Sequence, residues 1–316
     1  MTGGLAPYLV SVGTMIAIYA IAALGLNLQF GIGGLFNVGC TAFIAVGAYA
    51  SAIVTGPHYR QGLGGFGLAL PVGLLAAAAA GALLALLVAA MVLRLRGDYL
   101  AIASFGLATA VQIAATNAGA ITGGPGGLFG IPLRLGQFWP DAAGPGAAWA
   151  NVAWLGVCAA LAAAAFTALR RLDRAPWGRD LRAVSEDPEA ADAAGRNVAA
   201  FRLQAFVIGA ALMGVAGGLY AHTAGFISPQ DFLPILTFQL YAMVIVGGAG
   251  RHAGALLGTA VVWLLWSGSG ELLAAVLPAQ MQANSGAIRV IAIAVVMLAM
   301  LLQRPEGLLP ERVGRR

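Results

Sequence analysis

No lysine occurs among the 316 residues; every one of the 17 basic side chains is arginine. That absence excludes chemistry. A Walker A phosphate loop and a pyridoxal Schiff base each need a lysine amine, so the chain is not expected to hydrolyse ATP itself. Charge of either sign is scarce, at 9% of residues. A soluble domain of this length needs a hydrated exterior built from far more polar side chains. Cys40 and Cys158 are the two cysteines, both inside apolar stretches with no spacing pattern and no histidine nearby. They read as small packing residues, and neither a disulfide framework nor a metal site is indicated.

What is present is apolar: 60% of residues are hydrophobic and the mean hydropathy is +0.87. Bilayer is the solvent this composition suits. Forty-five glycines and long alanine runs fit helices that approach closely through small side chains rather than a barrel of alternating strands. The expected fold is therefore all-α, a polytopic helix bundle of about eight to ten spans in a single membrane domain over 1–316. Stretches near the ~20 apolar residues a span needs run approximately over 8–29, 35–54, 68–93, 99–118, 150–170, 203–222, 235–250, 254–275 and 287–303. The 235–250 stretch is short, and the Gly-rich 31–34 break marks the first pair as a candidate broken or re-entrant helix. The segment from Tyr8 to Gln29 is too long for a signal-peptide core and lacks a basic flank, so it is expected to be the first membrane helix.

The net charge of +5 does not point to nucleic acid, because the arginines sit mostly at the ends of apolar segments. With 171–202 and the tail after Gln303 placed in the cytoplasm, alternation puts Arg94, Arg96, Arg170, Arg171, Arg174, Arg179, Arg182, Arg196, Arg202, Arg251, Arg304, Arg312, Arg315 and Arg316 inside. Arg60, Arg134 and Arg289 fall outside or near the outer face. Such a bias is the positive-inside signature of an inner-membrane protein. The same alternation puts Met1 to Pro7 outside. The 119–149 connection is rich in Gly and Pro, with Trp139 and Trp149 as interfacial anchors.

Residues 170–202 hold 13 of the 29 charged side chains. A helix is expected over Trp177 to Val184. Asp187 then offers an N-cap, Pro188 suits the first helical position, and Glu189 lies where the helix dipole favours an anion. Gly195 is suited to close this second helix in a left-handed conformation. Ala190, Ala191, Ala194 and Gly195 would present a small-residue face for a partner's cleft; a solvated hairpin linking two spans is the plainer alternative.

The run Glu186-Asp187-Pro188-Glu189-Ala190-Ala191-Asp192-Ala193-Ala194-Gly195 resembles the EAA loop of ABC importer permeases, with Glu189, Ala190, Ala191 and Gly195 in the motif positions. Four further segments resemble, in order, the LivM-type permeases of branched-chain amino acid ABC transporters. They are Arg96 to Ile102 with Thr122 to Leu128, Gly217 to His222, Gly225 to Pro229, and Val246 to Gly250 with Gly254 and Gly258. The likeness runs from about residue 15 to 310. It departs at Thr109, Cys40 and Gly126, where the family often has Glu, His and Asn.

The resemblance implies an importer permease that moves leucine, isoleucine or valine by alternating access, with the 171–202 loop as coupling element. It implies no cofactor in this chain, ATP and Mg being bound by two separate ATPase subunits. A LivH-type second permease and a periplasmic binding protein would complete the assembly, in a bacterial inner membrane. The same architecture also imports urea and short amides. A gradient-driven carrier and a sugar permease of the ribose type are the other transport readings.

Ionisable groups inside the spans are almost absent, which argues against a proton-coupled carrier. His222 is expected at the outer boundary, facing water. No nucleophile with a base and no acid pair supports a membrane enzyme. The intramembrane polar residues are Asn27, Gln29, Asn37, Thr41, Gln112, Thr116 and Asn117. They are candidates either for a translocation path or for interhelical hydrogen bonds worth ~0.6 kcal/mol each. The Gly-Gly breaks at Gly33-Gly34 and Gly123-Gly124 are candidates for irregular backbone lining a cavity. Ala210, Gly214 and Gly218, and Gly250, Gly254 and Gly258, form small-residue stripes for close helix packing, with a subunit seam as an added role.

Overall fold

The computed structural model describes residues 5–57, 65–92, 98–132, 147–276, 291, 294, 295, 298, 302 and 307–309. Helix α1 (Leu5–Leu26) runs on through a π-helical turn, Asn27–Ile32, and 34–39 leave the helix before α2 (Cys40–Thr55) begins. Then come α3 (Leu70–Val92), α4 (Asp98–Asn117), the single turn α5 (Gly119–Thr122) and strand β1 (Leu128–Phe129). Helix α6 (Ala147–Arg174) leads into α7 (Pro176–Glu186) and α8 (Pro188–Ala193). The second half holds α9 (Val198–Ala224), β2 (Phe226–Ile227), α10 (Ile235–Gly247) and α11 (His252–Val276).

Five described helical segments are long and apolar enough to cross a bilayer: Ala6–Ile32, Leu70–Ala89, Asp98–Asn117, Trp149–Arg174 and Val198–Ala224. The chain is a multi-pass helix bundle. Two differences from the sequence reading have physical causes. Helix α2 is trimmed to 16 residues, roughly 24 Å at 1.5 Å per residue, because 34–39 lie outside the helix, with Gly34 left-handed at φ +64°. And α10 and α11, read as two spans from sequence, meet at a bend of 119°, so they make at most one crossing as a pair. Of the span expected over 287–303, Ile291, Ala294, Val295, Leu298 and Leu302 are described. They are helical and exposed at the i, i+3, i+4, i+7 spacing of a lipid-facing stripe. Arg60, Arg94, Arg96, Arg134, Trp139, Arg289, Arg304, Arg312, Arg315 and Arg316 lie outside the described residues.

Helix α9 is the axis of the bundle, packed against α1, α2 and α3. Small residues set that packing, as their stripe suggests. A Cβ on Gly47 of α2 would collide with the Gly214 backbone, and one on Gly214 would collide with the Ala77 carbonyl of α3. Backbones in lipid attract chiefly through such close van der Waals contact, and glycine is what permits it. By contrast α3, α4 and α6 carry broad exposed apolar faces, including Leu75, Leu87, Tyr99 and Ile102, suited to lipid or to another subunit. At one end β1 and β2 pair antiparallel, Leu128 with Ile227, and Phe129 stacks on Phe226 at 4.4 Å.

Candidate functional site

The charged loop folds into a braced handle. Asp187 has extended backbone, and its carboxylate accepts hydrogen bonds from the Glu189 and Ala190 amides at 3.0 Å each, capping α8 while Pro188 occupies the first turn. The far end closes as a Schellman turn. Gly195 adopts φ +78°, its amide donates to the Asp192 carbonyl, and the Arg196 amide donates to the Ala191 carbonyl. Two ion pairs brace the handle: Arg196 with Asp180 of α7 closes it on itself, and Arg182 with Asp173 of α6 at 2.9 Å ties it to the bundle. Trp177 donates from its indole to Gln204 at 2.6 Å, tying α7 to α9.

Of the small-residue face, Ala190, Ala194 and Gly195 are exposed, with Glu189 beside them. Ala191 turns inward and is buried. Sequence periodicity missed one contact of this handle. Gly34, at φ +64°, lies against Ser185, so that a Cβ there would stand 2.5 Å from the Ser185 hydroxyl. The handle therefore rests on the segment where the first helix breaks.

That break is satisfied by a buried polar clasp. The Asn27 side chain accepts from the Gly250 amide at 2.9 Å and reaches His252 Nδ1 at 3.3 Å. Gln29 donates to the Phe206 carbonyl of α9 at 2.7 Å and accepts from Asn37 at 2.8 Å. Asn37 also caps the Gly39 amide at 2.9 Å, and its own carbonyl accepts from the Tyr241 hydroxyl at 3.0 Å. The Val38 amide finds Ser104 of α4 at 2.9 Å, and the Thr41 amide finds Thr237 of α10 at 3.3 Å. Asn27, Gln29, Asn37 and Thr41 are all buried to within 1%. A π-helical turn leaves i→i−4 partners unmade, and in a membrane those groups must be met by protein. The carbonyls of Leu28 and Gln29 accept from the Gly33 and Leu35 amides; the clasp meets the Val38, Gly39 and Thr41 amides and the Asn37 carbonyl in the break beyond, and joins that break to the bend at 248–251 between α10 and α11. Two interrupted helices thus touch at Asn27.

The remaining sequence candidates lie elsewhere. Gln112 and Thr116 are half-buried and Asn117 is exposed on α4; Thr116 and Asn117 bond to carbonyls of their own helix, Gln112 and Ile113. They do not join the Asn27–Asn37 clasp. Gly123 and Gly124 adopt φ of +75° and +62°, and turn the chain from α5 into the 124–126 turn that leads to β1. His222 is a correction. Instead of facing water it is 1% exposed, bonded to Ser51 at 3.0 Å and to the Pro132 carbonyl at 2.9 Å. Residues up to Pro132 fold back over the end of α9 and cover it, a tertiary event with no local signal.

The chain matches the model of a family described as the permease component of branched-chain amino acid transport systems, over residues 8–302. It is 34% identical to the high-affinity branched-chain amino acid transport system permease protein LivM of Escherichia coli K12, over 95% of this chain and 70% of that protein. It is 33% identical to the protein of the same name from Salmonella typhimurium LT2, with the same coverage. A probable branched-chain amino acid transport permease protein LivM from Methanocaldococcus jannaschii is 27% identical over 93% of this chain and 91% of its own length. No solved structure matches the chain.

Proposed function

The chain belongs to the family of branched-chain amino acid transport permeases, and from that premise we propose that it is the membrane subunit of an ATP-driven importer of leucine, isoleucine and valine. It is a transport subunit and not an enzyme. Hydrolysis of ATP, and the Mg that accompanies it, belong to two partner ATPases; a LivH-type permease completes the pathway, and a periplasmic binding protein delivers the cargo. The setting is a bacterial inner membrane, with 1–316 acting as one membrane domain.

The observation that carries this reading is the braced handle α7–α8. Its exposed face of Glu189, Ala190, Ala194 and Gly195 suits a cleft on an ATPase, and its two ion pairs and its caps let it move as a unit. A partner that closes on ATP displaces the handle. Through Ser185 and Gly34 the handle bears on the first break, and through Asn37, Gln29 and Asn27 on α9 and on the α10–α11 bend. Interfaces that are packed and hydrogen-bonded in this way shift between discrete arrangements rather than deforming smoothly, which is what alternating access needs. Asn27, Gln29 and Asn37 serve here as the joint of the gate. Gly123 and Gly124, with Gln112 and Asn117, belong to the opposite end, where cargo would enter.

Reconstitution in liposomes with the partner subunits tests the reading. Hydrolysis is expected to rise with binding protein loaded with leucine and to stay basal with urea or ribose. Stimulation by urea instead would reassign the cargo. Uptake by the lone polypeptide without nucleotide would overturn the mechanism.

A further inference from the structure

At the end of the bundle that carries the handle lies a cavity of about 380 Å³ whose wall includes Arg170, Asp173, Arg174, Arg182, Arg251 and His252. It sits where the C-terminal end of α6, the side of α7 and the bend before α11 converge. Its lining carries four guanidinium groups against one described carboxylate, that of Asp173, which Arg182 grips from 2.9 and 3.1 Å. The balance of the described lining is cationic.

His252 joins the cavity wall to the Asn27 clasp. Asn27 Oδ1 accepts from the Gly250 amide, so its Nδ2 is the donor toward His252, and the network assigns His252 Nδ1 as acceptor. In the neutral ring the proton then sits on Nε2. That nitrogen is buried, with His252 only 6% exposed, and it has no hydrogen-bond partner among the described residues.

We propose that this cavity binds the phosphate group of an anionic phospholipid. Charge complementarity explains the phosphate: arginine presents planar forks that match its oxygens. An apolar stripe explains the lipid. Ala253 lines the cavity, and Leu257 and Leu264, four and eleven residues on, lie on the same face of α11 and are 41% and 53% exposed. Acyl chains can lie along that stripe while the headgroup occupies the mouth. Basic pockets between helices on the cytoplasmic side are a recurrent form of headgroup site. The consequence is a lipid wedged against the joint of Asn27 and the α10–α11 bend, where its presence biases the gate.

Native mass spectrometry of the assembled transporter, released from nanodiscs of phosphatidylcholine mixed with phosphatidylglycerol, decides the matter. Wild type is expected to retain phosphatidylglycerol above its share of the bilayer. The double variant Arg170→Gln/Arg174→Gln should lose that retention about thirtyfold, the ratio that two basic side chains of about 1 kcal/mol each near a headgroup give together. Arg171→Gln/Arg179→Gln, an equal loss of charge at exposed positions outside the cavity lining, should keep it. Retention at the bulk ratio in wild type, or equal retention in the double variant, sinks the proposal. A parallel arm adds inorganic phosphate: if it displaces the retained lipid at millimolar concentration or binds with no lipid enrichment, the site is for a soluble anion and the lipid assignment falls. Because the readout is bound lipid rather than uptake, the outcome is independent of the cargo and of the ATPase partners.

Discussion

Asn27 shows how much one buried amide holds in this chain. Its oxygen is the acceptor for the Gly250 amide and its nitrogen meets His252, both inside the bundle. Replacing it by leucine keeps the bulk but leaves a buried N–H unmet, at a cost of about 1–3 kcal/mol. Asn27→Leu is therefore expected to lower the thermal midpoint of the purified protein in detergent; an unchanged midpoint would show that the clasp is dispensable. At Asp187 the effect is smaller and local. Asp187→Ala removes the acceptor for two amides of α8 and should cost about 1 kcal/mol. Faster hydrogen exchange confined to 188–194 is the expected sign. Gly34 combines a left-handed φ with contact to Ser185. Gly34→Val should strain the backbone by about 1–2 kcal/mol and push α7 away. Stimulated hydrolysis in the assembled transporter should fall while insertion persists.

At the scale of elements, the handle and the two interrupted helices touch in series, through Gly34 with Ser185 and Asn27 with Gly250. The α7–α8 unit is braced by its cap and by the Arg196–Asp180 pair, which in the proposed scheme would carry a displacement of α8 to Ser185. Glu189→Arg reverses the charge on its exposed face. Hydrolysis should then proceed without uptake, measured as ATP turnover against leucine accumulation; normal uptake in this variant would remove the docking role. The first break depends on its clasp of side chains, which supplies hydrogen bonds that lipid cannot. Much of this was legible in the chain. Asp187, Pro188 and Gly195 have short-range consequences, and the helix they delimit forms where their chemistry puts it. The union of Gly34 with Ser185, and of Asn27 with Gly250, was not, since partners 151 and 223 residues apart leave no periodic trace.

For the molecule as a whole, arginine placement and packing bear on the same orientation. Arg170, Arg174, Arg182 and Arg251 come from distant parts of the sequence and gather at one cavity at the handle end. If that end is cytoplasmic, Arg179→Cys on the exposed face of α7 should react with an impermeant maleimide only in inverted vesicles or opened cells. Labelling of intact spheroplasts would reverse the topology and with it the coupling scheme.

The all-helical class, the apolar solvent, the missing ATPase chemistry and the charged handle were all determined by sequence, because composition, hydropathy and capping act through the bilayer and through nearest neighbours along the chain. That α10 and α11 bend as a pair, which polar groups meet, and that His222 is sealed rather than wet were decided only by tertiary structure. The reason is physical. In a uniformly apolar chain every helix face looks alike to the lipid, so the choice of neighbour rests on glycine close approaches and a few buried hydrogen bonds, whose partners exist only once the bundle has closed.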